Sequence, residues 1–475
     1  MQQISKDQVI RRLQAENCWW GGSDSISEDY AKLRRRAYFE LLFPLISAAL
    51  PKRAVLLMGP RRVGKTVMMQ QVVQQLISEG VAAKNICYFS VDHPIYNGLG
   101  LEKLLELYFE AAELTNTNSS DRVFVLFDEI QYLKDWEIHL KSLVDRYSNI
   151  KFLVSGSSAA ALKLKSDESG AGRFTDFLLP PLTFHEYIDL SGQNELITVE
   201  NNFAEARDIV ELNKCFLNYL NFGGYPEVMF SELIQSDPGR FIKSDIIDRV
   251  LLRDLPSLYG IQDIQELNYL FTTLAFNTAN EVSLEDLSQS SGVAKNTIKR
   301  YIEYLEAAFL VKIVHRIDRN ANHFQRANFF KIYLTNPSMW SALFETLSTE
   351  SRVLPYLAET AIFSQWFHIP EPRYYARWSK GEVDIVGLHP GTQKPMWAIE
   401  VKWSNRYSQD PKQLRSLLTF CTANKLKEAV VTTLTDHFSV EHGGIELRFV
   451  PTSIYCWTLG HNIVKNKQML PTHRV

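Results

Sequence analysis

The octapeptide Gly59-Pro-Arg-Arg-Val-Gly-Lys65-Thr66 constrains the fold of this chain more than any other stretch. It has the spacing G-x-x-x-x-G-K-[ST]. The apolar run Ala54-Val-Leu-Leu-Met58 leads into it, and a helical pattern from Val67 to Ile77 leads out. Strand, glycine turn and helix in that order bring backbone N–H groups and the positive end of a helix to one point, which suits phosphate. The stretch therefore reads as the phosphate loop of an α/β nucleotide-binding domain. Gly59, Pro60, Arg61, Arg62, Val63 and Gly64 are expected to wrap the phosphates of ATP. Lys65 would reach the β- and γ-phosphates, and the Thr66 hydroxyl would sit on Mg²⁺.

Further strands carry the partners such a loop needs. Asn85-Ile-Cys-Tyr-Phe-Ser-Val-Asp92 is one, and Arg122-Val-Phe-Val-Leu-Phe-Asp128 is another, followed directly by Glu129. Ligands of open α/β sheets bind at the carboxyl ends of strands, so Asp128 is placed to hold Mg²⁺ and Glu129 to polarise the attacking water. The strand Lys151-Phe-Leu-Val-Ser155 ends in Gly156-Ser157-Ser158. Ser155 or Ser157 at its tip is a candidate sensor of the γ-phosphate; the alternative is a plain small-residue turn. Arg173, in Ser169-Gly-Ala-Gly-Arg173-Phe174, is either an arginine finger, acting across a homo-oligomer interface, or one half of a local ion pair.

Bulk properties bound the remainder. A chain of 475 residues is too long for one core and suggests about three domains. With 45% hydrophobic and 22% charged residues the composition is that of an ordinary globular protein. A net charge of −3 means that any nucleic-acid contact must use a local patch. Five scattered cysteines contain no C-x-x-C pair, which argues against a zinc site or a disulfide framework. The start lacks the apolar core of a signal peptide, and no apolar run approaches a membrane span, so a cytoplasmic protein without integral membrane association is expected.

Taken together, Gly59–Thr66, Phe127-Asp-Glu-Ile-Gln-Tyr-Leu-Lys-Asp-Trp-Glu137, Val154-Ser-Gly-Ser-Ser158, Ala171-Gly-Arg-Phe174, Leu178-Leu-Pro-Pro-Leu-Thr-Phe-His-Glu-Tyr187 and Gly223-Gly-Tyr-Pro-Glu-Val228 give the chain a family likeness. It resembles bacterial and archaeal AAA-type P-loop ATPases, of archaeal or STAND-like architecture, that carry a C-terminal domain of unassigned function. The resemblance implies a parallel-sheet ATPase domain with a helical lid. From about 180 to 260 the pattern is helical, with Phe184–Ile188 and Leu212–Leu220 showing apolar residues three and four apart. From Ser283 a short helix, a turn at Ser290-Ser-Gly-Val293 and a second helix, Ala294–Leu305, precede the strands Leu310–Val314 and Phe329–Leu334. That order outlines a winged helix-turn-helix. Lys295, Asn296, Lys299 and Arg300 would face outward, with Arg316, Arg319, His323 and Arg326 near the wing. DNA contact and protein contact both remain open readings.

The last region holds a second constellation. Gly381-Glu-Val-Asp384-Ile-Val-Gly-Leu388 and Met396-Trp-Ala-Ile-Glu400-Val-Lys402 read as a hairpin. Strand alternation puts Glu400 and Lys402 on one side, within reach of Asp384. Leu357-Ala-Glu359-Thr-Ala-Ile-Phe363 is a helix with one more carboxylate. The set looks like a PD-(D/E)XK nuclease core, a restriction-endonuclease-like α/β domain. That resemblance implies Mg²⁺ on Asp384 and Glu400, with Glu359 assisting and Lys402 steadying the attacking water or the charge developing on the phosphate.

The expected organisation is an ATPase domain with an N-terminal helical segment over 1–180, a helical lid or connector over 181–260, a winged helix over 261–345 and a nuclease-like domain over 346–475. The expected function is an ATPase whose nucleotide state controls a domain acting on DNA or RNA, in defence or mobile-element biology. The competing expectation is a regulatory ATPase scaffold whose winged helix and inactive C-terminal domain only bind partners.

Overall fold

A computed structural model describes residues 5–22, 25–114, 121–156, 172–200, 203–322 and 328–465. The chain divides into two compact units, Met1–Leu179 and Pro180–Val475.

The first unit is built on five strands: β1 (Ala54–Met58), β2 (Ile86–Ser90), β3 (Val123–Asp128), β4 (Ile150–Gly156) and β5 (Phe174–Leu178). All pairings are parallel and the order is β2-β3-β4-β1-β5, an arrangement typical of P-loop ATPases. Every residue of β1 and β3 is buried, which explains why both strands are continuous apolar runs: a parallel sheet is covered on both faces. The order matters for chemistry. Strand β4 lies between the strand that enters the phosphate loop and the strand that delivers Asp128, so its tip projects between them. The loop itself passes close to β5. A Cβ on Gly59 would lie 2.2 Å from the Leu179 carbonyl oxygen, so only glycine fits there.

The second unit opens with helices, as the apolar spacing predicts. Phe184–Leu190 starts on a capping box between Thr183 and Glu186, and Ile209–Phe222 is capped by Asp208. Between them lies a feature the helical reading missed, the antiparallel hairpin β6 (Ile197–Glu200) and β7 (Phe203–Ala206). Its alternating Ile197-Thr-Val-Glu200 has period two rather than 3.6. Gly239–Asp248 and Val250–Asp254 are wound as π-helix, and the helices Leu284–Ser291 and Lys295–Ala307 follow, with Gly292 at φ 73° between them.

A single mixed sheet of nine strands dominates this unit. It contains β8 (Glu281–Ser283), β9 (Val311–Ile317), β10 (Phe329–Leu334), β11 (Tyr374–Trp378), β12 (Gly381–Leu388), β13 (Pro395–Glu400), β14 (Glu428–Thr433), β15 (Phe438–His442) and β16 (Ile445–Pro451). The order is β15-β16-β14-β13-β12-β11-β9-β10-β8. The hairpins β9/β10 and β12/β13 form as the sequence predicts. The parallel pairing of β9 with β11, Tyr374 beside His315, joins the strands after the helix-turn-helix to the carboxylate-bearing hairpin in one sheet. Strands β15 and β16 turn at Gly443-Gly444, both at positive φ as a tight hairpin turn demands. Among the described residues no helix is long and apolar enough to cross a membrane.

Candidate functional site

In the first unit the side chains converge at the carboxyl ends of β1, β3 and β4. Thr66, in the first turn of the helix Lys65–Ser78, donates its hydroxyl to Asp128 Oδ2 at 2.7 Å. Ser155 at the tip of β4 donates to Asp128 Oδ1 and accepts the Glu129 backbone N–H at 3.0 Å. Tyr88 on the neighbouring β2 donates to Asp128 Oδ2 at 2.8 Å. Asp128 is almost fully buried, and burial followed by repulsion from Glu129 pushes its pKa up; the bonds from Ser155, Thr66 and Tyr88 work against that rise. Lys65 is likewise buried and donates to the carbonyls of Gly59 (3.0 Å) and Pro60 (2.7 Å). Burial lowers its pKa, and attraction from Glu129 and Asp128 opposes the shift.

Glu129 sits at φ 59°, a left-handed conformation that turns the chain sharply after β3, and Gln131 donates to its carboxylate. Thr66 and Asp128 thus present a hydroxyl and a carboxylate oxygen in contact, a hard-oxygen pair that fits Mg²⁺.

Sequence reasoning missed two supports of this site. Tyr88 was readable only as a polar tip within an apolar strand. Arg36, one of a run of three arginines, is buried and donates to the Val63 carbonyl at 2.9 Å, tying the N-terminal segment to the phosphate loop. Arg173 immediately precedes β5, and its carbonyl accepts from Ala54 at the start of β1. Within its own unit it therefore lies a strand length, roughly 16 Å, from the phosphate loop, and it pairs with Asp145 at 2.9 Å. Ser157 lies outside the described residues.

Residues 51–188 match the family model of an AAA domain. This segment is a P-loop ATPase domain. Residues 213–350 match a domain of unknown function, DUF8612. An uncharacterized protein of Methanocaldococcus jannaschii is 23% identical, with 71% of this chain and 72% of that protein covered. One from Haemophilus influenzae is 24% identical over 57% of this chain and 64% of its own length. One from Mycobacterium tuberculosis is 27% identical over 54% of this chain and 48% of its own length. Among solved structures, the Saccharomyces cerevisiae Hsp104–ADP complex gives a TM-score of 0.30 at 13% identity, covering 63% of this chain and 41% of that one. The replication initiator DnaA bound to AMPPCP and single-stranded DNA gives 0.28 at 13% identity, over 58% and 89%. At those scores neither structure bears on what this chain does.

Outside the AAA domain, the carboxylates singled out in the sequence do meet, around a lysine that was not. Lys331 on β10 is 3% exposed, and its Nζ lies 3.0 Å from Glu359 Oε1, 2.7 Å from Glu382 Oε1 and 3.7 Å from Asp384 Oδ1. Tyr333, two residues on, donates to Glu359 at 2.5 Å. Lys402, just past β13, lies 2.8 Å from Glu400 Oε1 and 3.5 Å from Asp384 Oδ2, and Asp384 also accepts the Val401 N–H. Burial opposes the Lys331 charge, but attraction from Glu359, Tyr333, Asp384 and Glu382 holds its pKa well above the usual range. Burial pushes Glu359 up to about 7 and, with repulsion from Asp384, Glu400 up to about 8. Asp384 stays low despite burial, because Lys402 and Lys331 favour its charged form.

Glu400 Oε2 is buried without a hydrogen-bond partner. That orphaned oxygen leaves capacity for one cation beside Asp384. Lys331 occupies the other side of the cluster, and among the described residues no group of three or more His, Cys, Asp or Glu side chains is placed to hold a metal ion. Lys402 lies between Glu400 and Asp384, so the free Glu400 oxygen is the one unsatisfied donor atom this cluster offers an ion.

Around the helix-turn-helix, Ile298, Tyr301, Ile302 and Leu305 are buried, while Lys295, Asn296, Lys299 and Arg300 are exposed. Two of those cations have internal partners: Lys295 pairs with Glu285, and Lys299 lies 4.0 Å from Glu303. Arg316 is drawn into the sheet by Glu281 at 3.6 Å and the Arg377 carbonyl at 3.2 Å, whereas Arg319 is exposed. His323 and Arg326 lie outside the described residues.

Proposed function

We propose that the chain is an ATP-hydrolysing switch whose nucleotide state governs a nuclease-like C-terminal domain acting on nucleic acid. The observation that carries the ATPase reading is the joined set Thr66–Asp128–Ser155, with Glu129 hinged to it through its backbone. In this reading Lys65 exchanges the carbonyls of Gly59 and Pro60 for the β- and γ-phosphates. Thr66 and Asp128 hold Mg²⁺, which when bound neutralises charge on the phosphates. Glu129, oriented by Gln131, takes the proton of the attacking water. Ser155 touches both Asp128 and the Glu129 backbone, so a change at the γ-phosphate reaches both carboxylates through one hydroxyl. As an arginine finger Arg173 would act on the nucleotide of a second copy, since its own phosphate loop is a strand length away. Glu129→Gln tests the assignment: ATP binding persists and hydrolysis is lost, and turnover at the parent rate in that variant refutes it.

For the C-terminal cluster, a restriction-endonuclease-like fold with one ion on Asp384 and Glu400, Lys402 beside it and Glu359 held in reserve by Lys331 is the proposed arrangement. The unpartnered Glu400 oxygen supports it. Lys331 favours the second reading, a scaffold that binds without cutting, because it already neutralises the carboxylates a second ion would need. Purified chain incubated with plasmid, single-stranded DNA and RNA, with Mg²⁺ and with or without ATP, separates the two. Cutting that is lost in Asp384→Ala selects the nuclease; ATP turnover with every substrate left intact selects the scaffold. The winged helix is proposed as the nucleic-acid contact in the first reading and as a partner-binding module in the second.

A further inference from the structure

At the end of the AAA-domain sheet opposite the phosphate loop, four cations from three separate segments gather. Lys52 and Arg53 immediately precede β1, Arg122 immediately precedes β3, and Lys151 is the second residue of β4, which lies between those two strands. They line a cleft of about 30 Å³, with Ser148 and Asn149 supplying further polar groups. Among the described residues no carboxylate lines it.

An ordinary explanation for basic residues here is that helix carboxyl ends point this way and attract positive charge. It accounts for Arg122, which donates to the carbonyls of Ser47 (2.6 Å) and Ala48 (2.9 Å) at the end of the helix Phe39–Ser47. It does not account for the other three. Asp145, next to the lining residue Val144, is engaged by Arg173. Half-buried Lys151 has its pKa lowered to about 8, first by burial and then by repulsion from the Arg122 charge. A polar cleft lined by exposed Lys52 and Arg53 and by part-buried Arg122 and Lys151 is complementary to a compact anion.

We propose that this cleft binds a single phosphate-type oxyanion, with Arg53, Lys52 and Lys151 as donors and Arg122 as a fixed wall. The strand β1 separates it from the phosphate loop, so it is a second anion site of the AAA domain and is independent of nucleotide. The room available suits one phosphate group, either free in solution or projecting from a larger phosphate-bearing molecule.

The test uses the full chain with its nucleotide site saturated by a non-hydrolysable ATP analogue, and inorganic phosphate as the probe. Calorimetric titration is expected to show one saturable equivalent, and phosphate is expected to protect Lys151 from an amine-acylating reagent at pH 8. Arg53→Met combined with Lys52→Met changes only exposed side chains. It should weaken phosphate binding by about tenfold or more, since two of the three proposed donors are lost and one charge-assisted hydrogen bond alone is worth about that much, with analogue binding unchanged. Non-saturating uptake, uptake undiminished in the double variant, or acylation of Lys151 indifferent to phosphate overturns the proposal. A Lys65→Ala chain repeats the titration without the analogue, so failure of the nucleotide site is read separately. Competition by a short oligothymidylate identifies a nucleic-acid backbone as the source of the phosphate; indifference to it identifies a small phosphate compound.

Discussion

Replacing Lys331 by methionine removes the one buried cation that Glu359, Glu382 and Asp384 share, while keeping the volume of the side chain. At 2.7–3.0 Å from two carboxylates, each attraction is worth about 6 kcal/mol at an effective dielectric of about 20. The cost of desolvating the ammonium offsets much of that. Breaking a buried pair by removing one partner typically costs about 3–5 kcal/mol. For a unit of this size about 2 °C of melting temperature follows each kcal/mol, so a fall of about 6–10 °C is expected at pH 8.5.

The effect must depend on pH. Glu359 titrates near 7 in the folded protein against 4.5 as its ordinary value. Between those values the folded state holds a proton the unfolded state has released, so stability falls as pH rises through that window. Without Lys331 the Glu359 pKa rises further, and the loss extends to higher pH. At pH 6 Glu359 is protonated in both proteins and the difference between them shrinks. Thermal melts of Lys331→Met and the parent at pH 6 and 8.5 check this. An equal difference at both pH values would show that Lys331 contributes packing and no charge, and the one-ion reading of the cluster would lose its basis.

Three other outcomes are expected. Glu129→Gln should retain ATP affinity and lose hydrolysis, read by nucleotide binding and phosphate release on the same preparation. Tyr88→Phe deletes one of the three side-chain donors on Asp128. It should lower Mg²⁺-dependent turnover by about tenfold or more, the worth of a hydrogen bond to a charged group, with nucleotide affinity in the absence of Mg²⁺ preserved; turnover at the parent level would remove Tyr88 from the site. If the helix Lys295–Ala307 contacts DNA, affinity should fall steeply with salt, and Arg300→Ala should weaken binding to all sequences alike and flatten the salt slope by about one unit; no binding at low salt counts against nucleic-acid contact by this helix.

What the sequence disclosed and what it hid follow one physical line. The phosphate loop, Asp128, Glu129 and Ser155 were legible because each stands at the end of a short apolar run, and parallel strands deliver their carboxyl ends to one edge. The helices Leu284–Ser291 and Lys295–Ala307 were legible through their 3.6-residue spacing, and the hairpin β12/β13 through alternation and a Pro-Gly turn. Lys331 was hidden because its partners lie 28 to 53 residues further on and its own strand reads as a buried core strand. The signal was there in principle. A lone lysine inside Phe329-Phe-Lys-Ile-Tyr-Leu334 cannot be buried without a counter-charge. The parallel pairing of β9 with β11 had no local signature at all, since long-range register leaves no trace in periodicity.

That pairing changes how the C-terminal cluster is understood. Strands β11 and β9 stand between β12 and β10, so at about 4.8 Å per strand the backbones of Asp384 and Lys331 lie roughly 14 Å apart if the sheet is flat. Their side chains meet nonetheless, with the Lys331 ammonium 5.5 Å from the centre of the Tyr375 ring on the intervening β11. Glu359, Glu382, Asp384 and Glu400 thus gather around two lysines. The second of these, Lys402, comes from the carboxylate hairpin itself, but Lys331 comes from the segment that matches DUF8612. The charge balance of the cluster is thus set jointly by two stretches of chain more than fifty residues apart. A shift of the β9/β10 hairpin that withdrew Lys331 would leave buried Glu359 without its ion-pair partner and Asp384 with Lys402 alone, while the partly exposed Glu382 would keep Arg377.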